Sequence, residues 1–311
     1  MNREQWVDSP AGKGSPNSDD APRGLWVRPP DRFSLGPVSL PTIAFTDDLA
    51  AADVVATDHT AVRCLVAAIQ SQPVAATVLL QLLRQIETLP PEQALIAESL
   101  AYGVLQGGAE HACWLDQQRG SLRATDVAAA PGQVEMERTG GVLVVRMRRP
   151  AAHNAIDVAL RDALREAFEL AAADGTIERI VLSGEGRAFS VGADLSEFGT
   201  TRDPALAHMI RMCTLPAYPL VQCGSRLLVR IQGACLGSAL EMAAFAGRIE
   251  AQRGAFFQLP ELRMGLIPGA GGCVSVSRRI GRQKTALMVL SGRRFSAAAA
   301  LEWGLIDAIV D

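Results

Sequence analysis

Ile231-Gln-Gly233-Ala-Cys-Leu-Gly237-Ser238-Ala-Leu-Glu241-Met runs from a β-branched stretch through two glycines into an apolar helix that carries a single carboxylate. The free N–H groups at such a strand-to-helix turn point outward and can hold an anion. A lone carboxylate on an apolar helix is costly unless it is paired or has a task. A second glycine turn, Arg187-Ala-Phe-Ser-Val-Gly192-Ala193-Asp194-Leu-Ser-Glu-Phe198, has the same texture. Two such turns brought together make an oxyanion hole. A third stretch, Phe257-Gln-Leu-Pro260-Glu261-Leu-Arg-Met-Gly265-Leu-Ile-Pro268-Gly269-Ala-Gly271-Gly272, sets a second carboxylate just before a run of glycines, which predicts a loop lining a cleft. Two carboxylates from separate elements beside an oxyanion hole can do general acid–base chemistry on water. The same residues also admit plainer readings. Glu241 can face solvent or pair with Arg248 or Arg263, and Pro260-Glu261 can open a helix, where an early glutamate is favoured.

Working outward, the chain from Val134 onward alternates strand and helix. Val142–Met147 is β-branched and apolar, and Val158–Ala173 is an amphipathic helix. Its apolar face is Ala159, Leu160, Ala163, Leu164, Ala167, Phe168, Leu170 and Ala171. Ile180–Leu182 and Leu227–Ile231 are strands, and 237–246 is a helix. This order indicates an α/β fold. Residues 46–120 read as helical. Thr57-Asp58 or Thr60 caps a helix over 61–69, a second follows Pro73, a third runs from Gln93 to Gln106 behind Pro90-Pro91-Glu92, and a short one covers 109–118. Residues 1–40, rich in Pro, Gly, Ser and Asp, read as a flexible tail, with an ordered arm as the alternative. Residues 41–133 form the helical region and its linker, the linker being 121–133.

With 311 residues, 49% hydrophobic and 20% charged, the chain has material for a sizeable core. A formal charge of −3 argues against bulk nucleic-acid binding. Apolar runs are too interrupted for a membrane span, and the N-terminus has no apolar signal-peptide core. The six scattered cysteines read as reduced, buried thiols of a cytoplasmic protein. Cys and His do not cluster at ligand spacing, so no metal is implied. The four histidines share no spacing and read as surface or packing residues. No dinucleotide fingerprint, P-loop or nucleophile elbow is present.

Taken in order, five pieces resemble the crotonase superfamily, the enoyl-CoA hydratase/isomerase family, over about residues 134–311. They are Arg149-Pro150 with Asn154-Ala155, Ser190 to Asp194, Gly233 to Glu241, Pro260-Glu261 with Gly265 to Gly272, and Ser296 to Asp307. The resemblance implies a spiral of ββα units. It also implies a CoA thioester substrate, or an acyl-carrier-protein thioester, whose oxygen takes the backbone N–H groups of Ala193 and Ser238. Ala152, Ala155, Ala193, Asp194, Leu195 and Gly237 would contact the substrate. Glu241 and Glu261 match the paired glutamates that hold water in the family's hydratases. That favours enoyl-CoA hydration, with double-bond isomerisation or non-catalytic thioester binding as alternatives. No cofactor beyond the substrate's CoA is implied, and a homotrimer or dimer of trimers is expected. Ser238 stands where glycine is usual, Arg248 where an aspartate is common, and 198–227 is atypical. The family's final helices do not follow the core. Asp58 to Arg119 resembles them in order, which implies a circular permutation joined through 121–133, with 58–119 packed on the core near Asp311. An unrelated N-terminal helical domain is the rival.

Overall fold

A computed structural model describes residues 24–26, 41–44, 52–56, 58–118 and 130–311. The first strands, β1 (Gly24–Trp26), β2 (Thr42–Ala44) and β3 (Val54–Val55), form a small sheet in that order. Residues 24–26 of the expected tail are therefore an ordered strand; the rest of 1–40 lies outside the described residues. The strands at 42–44 and 54–55 are short, and the sequence reading passed over both.

Four helices follow: α1 (His59–Ser71), α2 (Pro73–Ile86), α3 (Pro91–Gln106) and α4 (Ala109–Gln118). Asp58 is the first cap, its carboxylate accepting from Ala61 N at 2.8 Å. Pro73 and Pro91 each occupy a first-turn position, where the missing N–H costs nothing. Of the expected linker, residues 121–129 lie outside the described residues.

The remainder comprises β4 (Gln133–Thr139), β5 (Val142–Arg148), α5 (Val158–Ala173), β6 (Arg179–Gly184), α6 (Pro204–Thr214), α7 (Ala217–Cys223), β7 (Leu227–Ile231), β8 (Ala234–Leu236) and α8 (Ser238–Ala243). It continues with β9 (Arg248–Gln252), β10 (Phe256–Gln258), α9 (Gly272–Ile280), α10 (Arg282–Ser291), β11 (Phe295–Ser296), α11 (Ala297–Trp303) and β12 (Ala308–Val310). The large sheet has the order β12-β9-β7-β6-β5-β4, parallel except for the β4–β5 hairpin. A smaller sheet runs β11-β10-β8. Successive turns β7-β8-α8 and β9-β10-α9 each place one strand in the large sheet, the next in the small sheet, and then a helix. This is the expected spiral of ββα units with an added helical region.

On α5 the buried face is Leu160, Leu164, Ala167, Phe168 and Ala171. Leu170 is 48% exposed and Ala159 is exposed, so the face is narrower than the periodicity predicts. Helix α8 is shorter than expected because the chain turns after Ala243 to enter β9. Cys223, Cys235 and Cys273 are buried, but Cys64, Cys113 and Cys213 are exposed, correcting the expectation that all six are interior. No single helix among the described residues is long and apolar enough to cross a membrane.

The helices α1–α3 share the core of the spiral. Leu65, Leu79, Leu83 and Leu95 belong to the same buried cluster as Val274, Met288 and Leu240. Helix α1 packs on α10, α2 on α9 and α10, and α3 on α6, α7 and α9. Buried Asp53 is held from both sides, by Arg84 Nε at 2.7 Å from α2 and by Arg282 Nη1 at 3.8 Å from α10. The segment is thus not detached. Its packing partners are α6, α7, α9, α10 and the turn Glu261–Met264, whereas β12, beside Asp311, packs on β9 and α11.

Candidate active site

The two glycine turns meet through main-chain pairing. Ser190 N donates to Ala234 O at 3.0 Å and Leu236 N to Ser190 O at 3.1 Å, a parallel bridge of Ser190 with Cys235. Three residues further along each arm stand Ala193 and Ser238. Neither of their N–H groups donates to a protein acceptor among the described residues. Gly192 makes the approach possible. Its φ is +88°, and a Cβ there would lie 2.6 Å from Leu236 O. Gly237 is equally constrained, with φ +49° and a virtual Cβ 2.9 Å from Glu261 Oε1.

The 190–194 arm is fixed from behind by Asn154, a fully buried residue at φ +55°. Its amide donates to Glu185 O and Ala188 O at 2.8 and 3.0 Å, and its Oδ1 accepts from Arg149 N at 2.9 Å. Arg149 Nη1 donates to Asp194 Oδ2 at 2.7 Å, and Asp194 Oδ1 accepts from Ser196 N at 3.0 Å. Asp194 is thereby committed to shaping the loop.

Both arms open onto a cavity of about 940 Å³, large enough for a small-molecule ligand. Ala193, Asp194, Leu195, Gly237, Ser238, Glu241 and Glu261 all line it. Ala152 and Ala155 do not; they lie on the turn just before Ile156, which does.

Glu241 is buried on α8, and its Oε2 accepts from Ala270 N at 2.7 Å and Gly272 N at 2.8 Å. Neither Arg248 nor Arg263 pairs with it: Arg248 binds Glu250, and Arg263 reaches Gly292 O. Burial pushes the Glu241 carboxyl up to about 7, against the pull of these amide donors. Glu261 opens a one-turn 3₁₀ segment, Glu261–Met264, rather than a plain loop. Its Oε2 is buried with no hydrogen-bond partner among the described residues, as is Ser238 Oγ. Burial, and then the Glu241 charge, pushes Glu261 well above the usual carboxylate range.

The structure adds residues that the motifs did not mark as part of the site. Glu98 on α3 is 1% exposed, its Oε1 accepting from Gly271 N at 2.6 Å and its Oε2 from Val274 N at 3.3 Å. Glu98 and Glu241 therefore share the amides at the N-terminus of α9, where a helix favours negative charge. Burial, and then Glu241, pushes Glu98 well above its ordinary value. Tyr102, one turn on, lines the cavity, and so does His111 of α4, whose Nδ1 lies 2.8 Å from Met264 O. The signal for Glu98 was available, since a carboxylate within Ala94-Leu-Ile-Ala-Glu98-Ser-Leu-Ala is as isolated as Glu241.

The spiral of ββα turns thus sets two amides with no acceptor among the described residues on one cavity with two buried carboxylates. The sequence profile of the enoyl-CoA hydratase/isomerase family matches residues 137–311. The chain belongs to that family, the crotonase superfamily, and carries an N-terminal extension. It is 34% identical over 173 residues to the 2,3-dehydroadipyl-CoA hydratase of Escherichia coli, covering 55% of this chain and 67% of the relative. It is 33% identical over 177 residues to a mevalonyl-coenzyme A hydratase of Beauveria bassiana, covering 54% and 63%. The chain thus spans less than two thirds of the second relative's length. Among solved structures it is similar to DspI of Pseudomonas aeruginosa, with TM-score 0.51, 29% identity, and coverage of 60% of this chain and 75% of that one. It is also similar to an enoyl-CoA hydratase of Thermoplasma volcanium, with TM-score 0.50, 30% identity, and coverage of 57% and 71%.

Proposed function

We propose that the protein adds water to the double bond of a 2-enoyl thioester of coenzyme A. The observation that carries this reading is a pair of buried glutamates, Glu241 and Glu261, with unequal surroundings on one cavity beside the unpaired amides of Ala193 and Ser238. The thioester oxygen accepts from both amides, which stabilise enolate charge by roughly 2.7–4 kcal/mol per donor. The unequal environments support a division of the proton roles. Glu241, whose anion is held by two amides, takes the proton from water as its hydroxide adds to the β-carbon. Glu261, with no donor to its Oε2, is the stronger holder of a proton and delivers it to the α-carbon. Both additions occur on one face of the double bond in this reading, and a proton passing back from Glu241 to Glu261 resets the site.

The test is loss of conjugated-thioester absorbance with crotonyl-CoA, for wild type beside Glu241→Ala and Glu261→Ala. Hydration that collapses in both variants is expected. An isomerase would tolerate loss of one glutamate, and a binding protein would be indifferent to both.

We further propose that residues 58–118 stand for the family's terminal helices in permuted order. This is supported by their shared core with α9 and α10 and by the placement of Glu98, Tyr102 and His111 at the site. A separate domain would be removable. Deleting the segment is expected to leave an insoluble core, and a folded, active 130–311 fragment would overturn the proposal. A trimer or dimer of trimers follows from the same family likeness, and sedimentation velocity tests it.

A further inference from the structure

Arg211 on α6 is a half-buried cation on the wall of the cavity. Its Nε donates to Ser99 Oγ at 3.0 Å, its Nη1 to Gln106 Oε1 at 2.9 Å and its Nη2 to Ser99 O at 3.0 Å. All three acceptors are neutral, and among the described residues no carboxylate forms an ion pair with it. A guanidinium has five N–H donors. One on each terminal nitrogen is left over, and a guanidinium with N–H groups to spare suits a carboxylate.

The location of this charge is as telling as its lack of a partner. The guanidinium carbon sits 4.6 Å from the centroid of the Tyr102 ring. That ring packs on Gly269, where a Cβ would come 2.2 Å from Tyr102 Cδ2, next to the loop whose amides hold Glu241. Arg211 therefore lies at the catalytic end of the cavity. Other charged groups do not neutralise it. Glu98, the carboxyl whose field reaches it, spends its oxygens on Gly271 N and Val274 N and makes no ion pair with it among the described residues. Arg161, the other arginine on the cavity, already pairs with Asp162. A desolvated cation held by neutral acceptors is stabilised most by an anion that arrives with the ligand.

We infer that the acyl group this site accepts ends in a carboxylate, and that Arg211, supported by Ser99 and Gln106, is the residue that selects it. The inference rests on the thioester reading above for the orientation of the substrate.

Two saturated thioesters that cannot react, adipoyl-CoA and hexanoyl-CoA, differ only in the terminal group, and calorimetric titration of the full chain with each is the test. Wild type is expected to bind adipoyl-CoA about tenfold or more tightly than hexanoyl-CoA. Arg211→Met is expected to erase that preference while leaving hexanoyl-CoA binding in place, and Arg211→Lys to keep part of it. Equal binding of the two thioesters by wild type overturns the inference, whether or not Arg211→Met folds. Equal weakening of both by Arg211→Met also overturns it, because it assigns Arg211 to the CoA phosphates or to bracing α6 on α3. Hydration of hex-2-enoyl-CoA and of its counterpart ending in a carboxylate, hex-2-enedioyl-CoA, is followed alongside. Hydration without a binding preference sinks this inference alone, and a preference without hydration of either thioester sinks the reaction alone.

Discussion

Glu241 and Glu98 reach the same helix N-terminus from two regions of the molecule, the spiral and the N-terminal helices. Glu241 takes the amides of Ala270 and Gly272, and Glu98 takes those of Gly271 and Val274. Both are buried, and burial raises both. Only Glu241 also lines the cavity; Glu98 is behind the loop. The comparison teaches that burial with a raised proton affinity does not by itself make a catalytic group. Access to the reacting atoms separates the two.

The sharpest way to break that distinction is to remove each carboxyl in turn. Glu241→Gln and Glu261→Gln are each expected to lower kcat for crotonyl-CoA hydration by about 10²–10⁴-fold. Glu98→Gln is expected to cost less than about tenfold, since it touches no reacting atom. A fall for Glu98→Gln equal to that of Glu241→Gln would place Glu98 in the chemistry.

The next test probes the contact that joins the regions. Gly269→Ala drives a methyl into the Tyr102 ring and is expected to destabilise the fold by about 1–3 kcal/mol, read from urea unfolding. Gly175→Ala, where a Cβ meets nothing, is the control.

Proton linkage sharpens the comparison further. Glu241 acts as a base, so kcat/KM is expected to rise as pH passes through about 7. Glu98 holds its proton more tightly folded than unfolded. Its contribution to stability is therefore full at low pH and lost as pH rises through its raised folded value. Glu98→Gln is expected to show a smaller fall in Tm between pH 5 and 8 than wild type.

The smallest effect is expected at Ser238. Its backbone N–H survives in Ser238→Ala, and the hydroxyl has no partner among the described residues. Stability within about 0.5 kcal/mol of wild type and little change in kcat are expected. A large loss of kcat would give the hydroxyl a part in the reaction.

Much of the spiral was legible because its signals are local. The glycines of the two turns, the 3.6-residue pattern of α5 and the β-branched runs of β5 and β7 each declare themselves within a dozen residues. Glu241 and Glu261 could be read for the same reason, each standing beside its own turn. Glu98 was as visible as a residue, but its meaning depends on an amide 173 positions away. Arg211 is harder still. Helix α6 has an ordinary amphipathic sequence, and only its partners Ser99, Tyr102 and Gln106 on α3 give its single arginine a meaning at the cavity. The strands β1–β3 are two or three residues long, too short for alternation to register.

The separation of Glu98 from Gly271 has a consequence for how the chain is made. At about 5–20 residues per second, a ribosome needs on the order of 9–35 s to travel from one to the other. For that interval α1–α3 exist without α9 and α10, and Leu79, Leu83 and Leu95, interior in the finished protein, have only one another's helices to cover them. The nascent chain must carry this apolar material through the synthesis of those 173 residues. Its yield in a cell is then governed by what shields those helices while they wait.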